Sequence, residues 1–368
     1  ILIMESNRFN KYKCAGDIMN NILNHCINLC QKKENIDIIC KTCDDLINNS
    51  LSKLYKKNKK GISLPTCLSI NNIISHNSSN KENNYILKND DIVRIEMACH
   101  IDNNVASIGD TIKIGDNDWN NSIFMKAANY ALSIGINAIN SNSEIIDYIK
   151  NISDVGKCFD LNLVQRPNIF YDKDSIIFYD WAFRDTSNYN EPSWVVIKDH
   201  ELELSDAESD SETIEKNVEF IRGEAYHLKV TFTTSSKIPK VSEISPVLYQ
   251  NTKNSYKLKS KYSRELISKV LNSHDTEFFK LSDINMSESK AKLGLKECLD
   301  HKVLRSLGLI ELNNCTTIQL KCTIIIQNNS VYKLTGEKLI KISDNKLTPN
   351  LNIILKQSSK FDKRDNWD

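Results

Sequence analysis

Apolar residues near the start of the chain recur at helical spacing. Ile18, Ile22, Leu23, Cys26, Ile27 and Cys30 do so across 11–32, and Ile39, Cys43, Leu46, Ile47 and Leu54 across 36–56. The pattern predicts two amphipathic helices joined by the polar turn "QKKENID". After the basic knot "KKNKKG" the period shortens, and "ISLPTCLSINNIISH" is strand-like. Strands are expected at about 91–101 and 105–114, a helix over about 121–138, and a short helix in "SEIIDYIKNI". Later, "EAYHLKVTFTTS" alternates as a strand and "TTIQLKCTIIIQ" is a strongly β-branched one, with a helical, basic stretch at 255–312 between them. The first half runs α, β, α, a mixed α/β pattern, and the whole order fits a β-rich body interrupted by a helical insertion, taken as α+β in class.

The stretch 168–217 breaks the pattern. Trp181, Trp194 and several tyrosines sit in irregular sequence that ends in "DHELELSDAESDSETIEKN". Such self-repelling charge predicts a surface loop. Ser205 and Ser209 each precede a Glu by three residues, which suits an acid-directed kinase.

Composition sets bounds on function. With 368 residues and 40% hydrophobic content, the chain can bury a large core in one or two domains. A net charge of +1 leaves no global attraction to nucleic acid or membrane, so such binding must use local patches. No apolar run approaches the roughly 18 residues of a membrane span. The start, "ILIMESNRF", is too short and polar for a secretory signal, and its lack of Met points to a trimmed start. The eleven cysteines are then expected to be reduced thiols.

No phosphate-cradling glycine loop and no serine nucleophile elbow is present. Cys26, Cys30, Cys40 and Cys43 have near-zinc spacing, but they fall on the apolar stripes of the predicted helices and are expected in the core. Two basic groups stand out. Lys56, Lys57, Lys59 and Lys60 form one. Lys253, Lys257, Lys259, Lys261, Arg264 and Lys269, interleaved with Tyr256 and Tyr262, form the other. Basic residues mixed with aromatics suit phosphate contacts with base stacking; a solvated lysine face is the plainer alternative. Taken bare, the faces shared by Arg94, Glu96 and His100, and by Gln319, Lys321 and Thr323, are polar faces of half-exposed strands.

Four stretches in order, "YKCAGDIMNNIL", "KKNKKGISLPTCLSINNIISH", "YILKNDDIVRIEMACHIDNNVASIGDT" and "QLKCTIII", resemble the proliferation-associated, ErbB-receptor-binding proteins. That family is related to type II methionine aminopeptidase, and the resemblance implies its pita-bread fold. The implied organisation is a first part of that domain over 1–254, a winged-helix-like helical insertion over 255–312, and the last part over 313–368.

The enzymes of this group hold two divalent metals with two Asp, one His and two Glu, and the pair activates water. The resemblance places the first Asp at Glu96, the second at Ser107, the His near Asp160, and the two Glu at Lys229 and Lys321. The charges at these positions cancel, and a charged lysine offers no acceptor. No cofactor or metal is therefore expected. The two ammonium groups are expected to fill the metal space, paired with Glu96 and Asp160. His76 matches the histidine that lies over the substrate; alone it is expected to be structural.

The resemblance also implies binding to ribosomal RNA or the large ribosomal subunit, to other RNA, and growth control. It implies a cytoplasmic and nuclear or nucleolar location. The knot at Lys56–Lys60 resembles a nucleolar-targeting segment, and Leu351 to Leu355 resembles a helical partner motif with Ile354 replacing a Leu. A monomer without membrane association is expected. The alternatives are a metallopeptidase with an altered site and a peptide-binding regulator that uses the old cleft.

Overall fold

A computed structural model describes residues 4–78, 85–139, 143–164, 182–185, 194–196, 220–274, 277–327, 330–336, 347 and 351. Helices α1 (Ser6–Leu29) and α2 (Ile36–Ser52) come first. Strands β1 (Lys60–Ile70), β2 (Ile73–Ser75), β3 (Ile92–Ile101) and β4 (Asn104–Lys113) follow. Then come α3 (Ile123–Ala138), α4 (Ile145–Cys158) and the short β5 (Asn162–Leu163).

Two strands, β6 (Ala182–Asp185) and β7 (Trp194–Val196), fall inside the stretch expected to be irregular. They pair with each other, and β6 pairs with β8 (Ala225–Thr233). Both are too short to show a period. The acidic run, with Ser205 and Ser209, lies outside the described residues.

The main sheet runs β1-β3-β4, then β14 (Thr317–Gln327), then β8-β6-β7. The hairpin strand β15 (Ser330–Lys333) pairs with β14. One face carries Val93, Ile95, Met97 and Cys99 against α1 and α2, and Leu228, Val230, Leu320 and Cys322 against α3 and α4. Cys26, Cys30, Cys40 and Cys43 are all buried in the first of these cores. Mutual hydrogen bonding with Cys30 and Cys43, followed by burial, raises the Cys26 thiol well above its ordinary range.

A second unit lies between β8 and β14. Its sheet is β11 (Phe278–Lys280), β10 (Leu248–Asn251) and β12 (Leu304–Leu307). Helices α5 (Lys261–Ser273) and α6 (Glu288–Asp300) pack beside it. Gly294 permits this packing, since a Cβ there would meet the Tyr262 carbonyl oxygen at 2.6 Å. The segment is therefore less purely helical than its sequence pattern predicts, and its sheet takes in Leu248, ahead of residue 255. A small third sheet joins β2, β9 (Lys240–Val241) and β13 (Ile310–Glu311). Among the described residues no helix is long and apolar enough to cross a membrane.

Candidate functional site

Strand pairing decides which polar residues meet. Glu96 lies opposite Gly109 in β4, Gly109 opposite Lys321 in β14, and Lys321 opposite Lys229 in β8. Residues directly opposite in an antiparallel pair share a face. One row across four strands is therefore Glu96, Gly109, Lys321 and Lys229. The neighbouring row is Ala98, Ser107, Thr323 and His227, and the row on the other side is Arg94, Thr111, Gln319 and Thr231. This polar face looks away from the helices.

It is also buried, contrary to the half-exposed strands expected from alternation. Glu96 is 2% exposed, and Lys229 and Lys321 are 3% each. Arg94 closes part of the cover. Its guanidinium donates to the carbonyls of Asn71, Ile73 and Thr317, tying the β1–β2 turn over the sheet. Leu248, Phe278 and Leu307 of the inserted unit pack against Ala98 and Val105 on the same face.

The centre of the site holds one carboxylate and two ammonium groups. Lys229 Nζ stands 3.3 Å from Glu96 Oε1, and Lys321 Nζ stands 3.9 Å from the same oxygen. Gly109 gives them room: a Cβ there would meet the Ile95 carbonyl at 2.9 Å and the Lys321 Cβ at 3.0 Å. Burial would raise the Glu96 carboxyl, but Lys229 and then Lys321 outweigh it and hold the group at about 2. Burial pulls Lys321 down to about 8, with Glu96 opposing and Lys229 assisting. The opposite fates follow from the stoichiometry, because one anion serves two cations.

His76 lies above this group, 1% exposed, with φ of 67° and its Nδ1 3.0 Å from the Ser75 hydroxyl. Burial lowers it to about 3, so it is neutral at physiological pH. Ser107 is engaged elsewhere: its Oγ is 2.7 Å from His227 Nδ1, and Thr323 Oγ1 accepts from its backbone N–H. Burial keeps His227 well below its ordinary value.

Asp160 does not join the site. It sits exposed at the turn after α4, at φ of 57°, while both lysine heads pair with Glu96. The expected second pairing is thus corrected. Proximity in chain order carried Asp160 to a ligand position, but the turn points it to solvent. His227, in the same buried face, was missed because "AYHLKV" alternates without marking which polar residue matters.

The resemblance implies that the enzymes of this fold use a pair of divalent metals, and this donor set does not fit one. Lys229 and Lys321 bring cations where acceptors are needed, Glu96 is committed to them, and Ser107 is neutral and bonded to His227. Among the described residues no cluster of three or more His, Cys, Asp or Glu is arranged to hold a metal ion.

The basic groups have mixed fates. Lys60 donates to the carbonyls of Leu54 and Tyr55 at the end of α2, and Lys59 pairs with Glu277 at 3.1 Å. Lys56 and Lys57 are exposed. Arg264 holds the carbonyls of Leu258 and Lys259, and Lys269 pairs with Glu265. Lys253, Lys257, Lys259 and Lys261 are exposed. Lys253 to Arg264 lie before and at the start of α5 and Lys269 near its end, while Lys59 pairs with Glu277 just beyond that end.

A cavity of about 490 Å³, lined in part by Lys59 and Lys60, lies at the seam of α2, β1 and the inserted unit. Lys280 bonds Asp44 there at 2.6 Å, and His100 Nε2 lies 3.1 Å from Glu277. Leu351 is buried in the core with Leu347, so this residue is not offered to a partner; the rest of that motif lies outside the described residues.

No family model matches the chain. It is 29% identical over 341 residues to proliferation-associated protein A of Dictyostelium discoideum, covering 88% of this chain and 81% of that protein. It is 27% identical to ErbB-3 binding protein 1 of Arabidopsis thaliana, with 89% and 80% covered. It is 29% identical to a curved DNA-binding protein of Schizosaccharomyces pombe, with 80% and 74% covered. In structure it matches a thermophilic Arx1 at a TM-score of 0.75 and 22% identity, over 96% of this chain and 98% of that one. Methionine aminopeptidase of Thermotoga maritima matches at 0.53 and 13% identity, over 91% and 99%. The ordered sequence likeness and the shared sheet agree: the chain is similar in sequence to the proliferation-associated, ErbB-3-binding proteins and has the pita-bread fold of the aminopeptidases.

Proposed function

We propose that this chain is a non-catalytic aminopeptidase-like protein that binds RNA and the large ribosomal subunit through the inserted unit, with a role in growth or translation. The observation that supports the reading is the grouping of Lys229 and Lys321 around Glu96, at positions that the family resemblance assigns to metal ligands. A centre closed in this way offers no water-activating pair, so function moves to the surface. There, Lys253 to Arg264 contains five basic residues and no acidic one, and Lys253, Lys257, Lys259 and Lys261 are exposed. The name of the fission-yeast relative, a curved DNA-binding protein, gives nucleic acid as the partner class of that protein.

Co-sedimentation with large ribosomal subunits across a salt series tests the reading. The comparison is a variant with Lys253, Lys257, Lys259 and Lys261 changed to Glu; Arg264 is left in place because it holds the loop. Saturable binding that weakens with salt and vanishes in the variant is the expected result. An absence of binding at low salt overturns it.

A further inference from the structure

Tyr256 and His301 stack face to face on the inserted unit, with ring centroids 3.7 Å apart and planes 12° from parallel. Neither belongs to the unit's core, which is built from Tyr249, Leu258, Leu266, Val270 and their neighbours. His301 is exposed, and Tyr256 keeps 37% of its surface in solvent although one ring face is covered.

The loop that presents this pair is held firmly. Leu258 anchors it in the core. The Glu297 carboxylate accepts the backbone N–H groups of Lys259 and Ser260, at 2.8 and 3.0 Å. Asn254 Nδ2 donates to the Lys302 carbonyl, next to His301, at 3.0 Å. The platform is therefore preorganised. Lys253, Lys257 and Lys259 are exposed on the loop that carries Tyr256, while Glu297 and Asp300 are the acids on the adjoining helix end.

We propose that the Tyr256–His301 pair is a stacking platform for an unpaired base of single-stranded RNA, with Lys253, Lys257 and Lys259 receiving the flanking phosphates. This rests on the RNA-binding reading above and specifies the strand state it favours. A π face takes any base that is not paired, and the lysines supply the sequence-independent attraction. A duplex has its bases stacked internally and cannot use the platform. A protein partner has no periodic charge to match the lysines around one aromatic pair.

The test is fluorescence anisotropy with a labelled oligouridylate, a labelled RNA duplex of the same length, and unlabelled UMP as competitor. Tyr256→Ala is expected to weaken oligouridylate binding roughly ten-fold and Tyr256→Phe to leave it unchanged, with duplex binding equal in all three proteins. Wild-type binding that is unaffected by Tyr256→Ala, but lost when Lys253, Lys257 and Lys259 become Glu, overturns the platform and leaves the RNA reading standing. Absence of any RNA binding by the wild type overturns both. UMP competing as effectively as the oligouridylate overturns the strand assignment in favour of a free nucleotide.

Discussion

Lys229 Nζ stands 3.3 Å from Glu96 Oε1 in the interior of the main sheet, and Lys321 approaches the same oxygen from the strand between them. One buried carboxylate thus faces two ammonium groups. Removing its charge takes away the carboxylate that both ammonium groups face. Glu96→Gln is expected to destabilise the fold by about 3–5 kcal/mol, measured by denaturant unfolding. A loss under about 1 kcal/mol would mean that the lysine heads reach water.

Lys321 makes stability depend on alkaline pH. Its ammonium titrates at about 8 in the fold, against 10.5 in the unfolded chain. Between these values the unfolded chain binds more protons, so the Lys321 contribution to stability rises as pH increases from 8 to 10.5. The difference between wild-type and Lys321→Met unfolding curves across that window should show this slope. At pH 7 the Met variant should be as stable as wild type or more so, since a hydrophobic side chain avoids the cost of a buried charge.

Metal uptake separates the proposed reading from the enzyme alternative. After incubation with manganese or cobalt and dialysis, elemental analysis should find no stoichiometric metal in the wild type. One or two tightly held ions per chain, lost in a Glu96→Ala variant, would reinstate a metallopeptidase.

Gly109 is expected to tolerate no side chain. Its Cβ would press on the Ile95 carbonyl and on Lys321, both fixed by the sheet. Gly109→Ala should cost about 1–3 kcal/mol through overpacking, read as a lowered melting temperature.

The pair of Lys280 and Asp44 joins the inserted unit to α2 across the seam. Asp44 also accepts the N–H of Thr66 at 2.8 Å, so it is anchored on the body side. Lys280→Met should leave Asp44 buried without its cation. The expected result is a loss of about 3–5 kcal/mol and faster hydrogen exchange in Phe278–Lys280 than in Thr317–Gln327. Equal exchange in both strands would show that the apolar contacts alone hold the seam.

Much was already decided along the chain. Apolar spacing placed both N-terminal helices, although α1 begins at Ser6, ahead of its clearest stripe. Alternation and β-branching marked β3, β4, β8 and β14 to within a residue or two, because each is long enough to show its period. The core cysteines were readable from their place on those stripes. Short strands such as Ala182–Asp185 and Phe278–Lys280 were not, since three or four residues carry no period. Nor does a sequence say whether a polar strand face meets water. Burial of Glu96, Lys229 and Lys321 was decided by strand register and by Arg94 drawing the β1–β2 turn across them. The turn after α4 left Asp160 at the surface, and Lys59 and Lys60 were drawn into bonds with Glu277 and with the chain just after α2. Local pattern fixes periodicity within an element; which side chains share an enclosed space depends on pairing between strands, such as that of Gly109 with Lys321, that are distant in the chain.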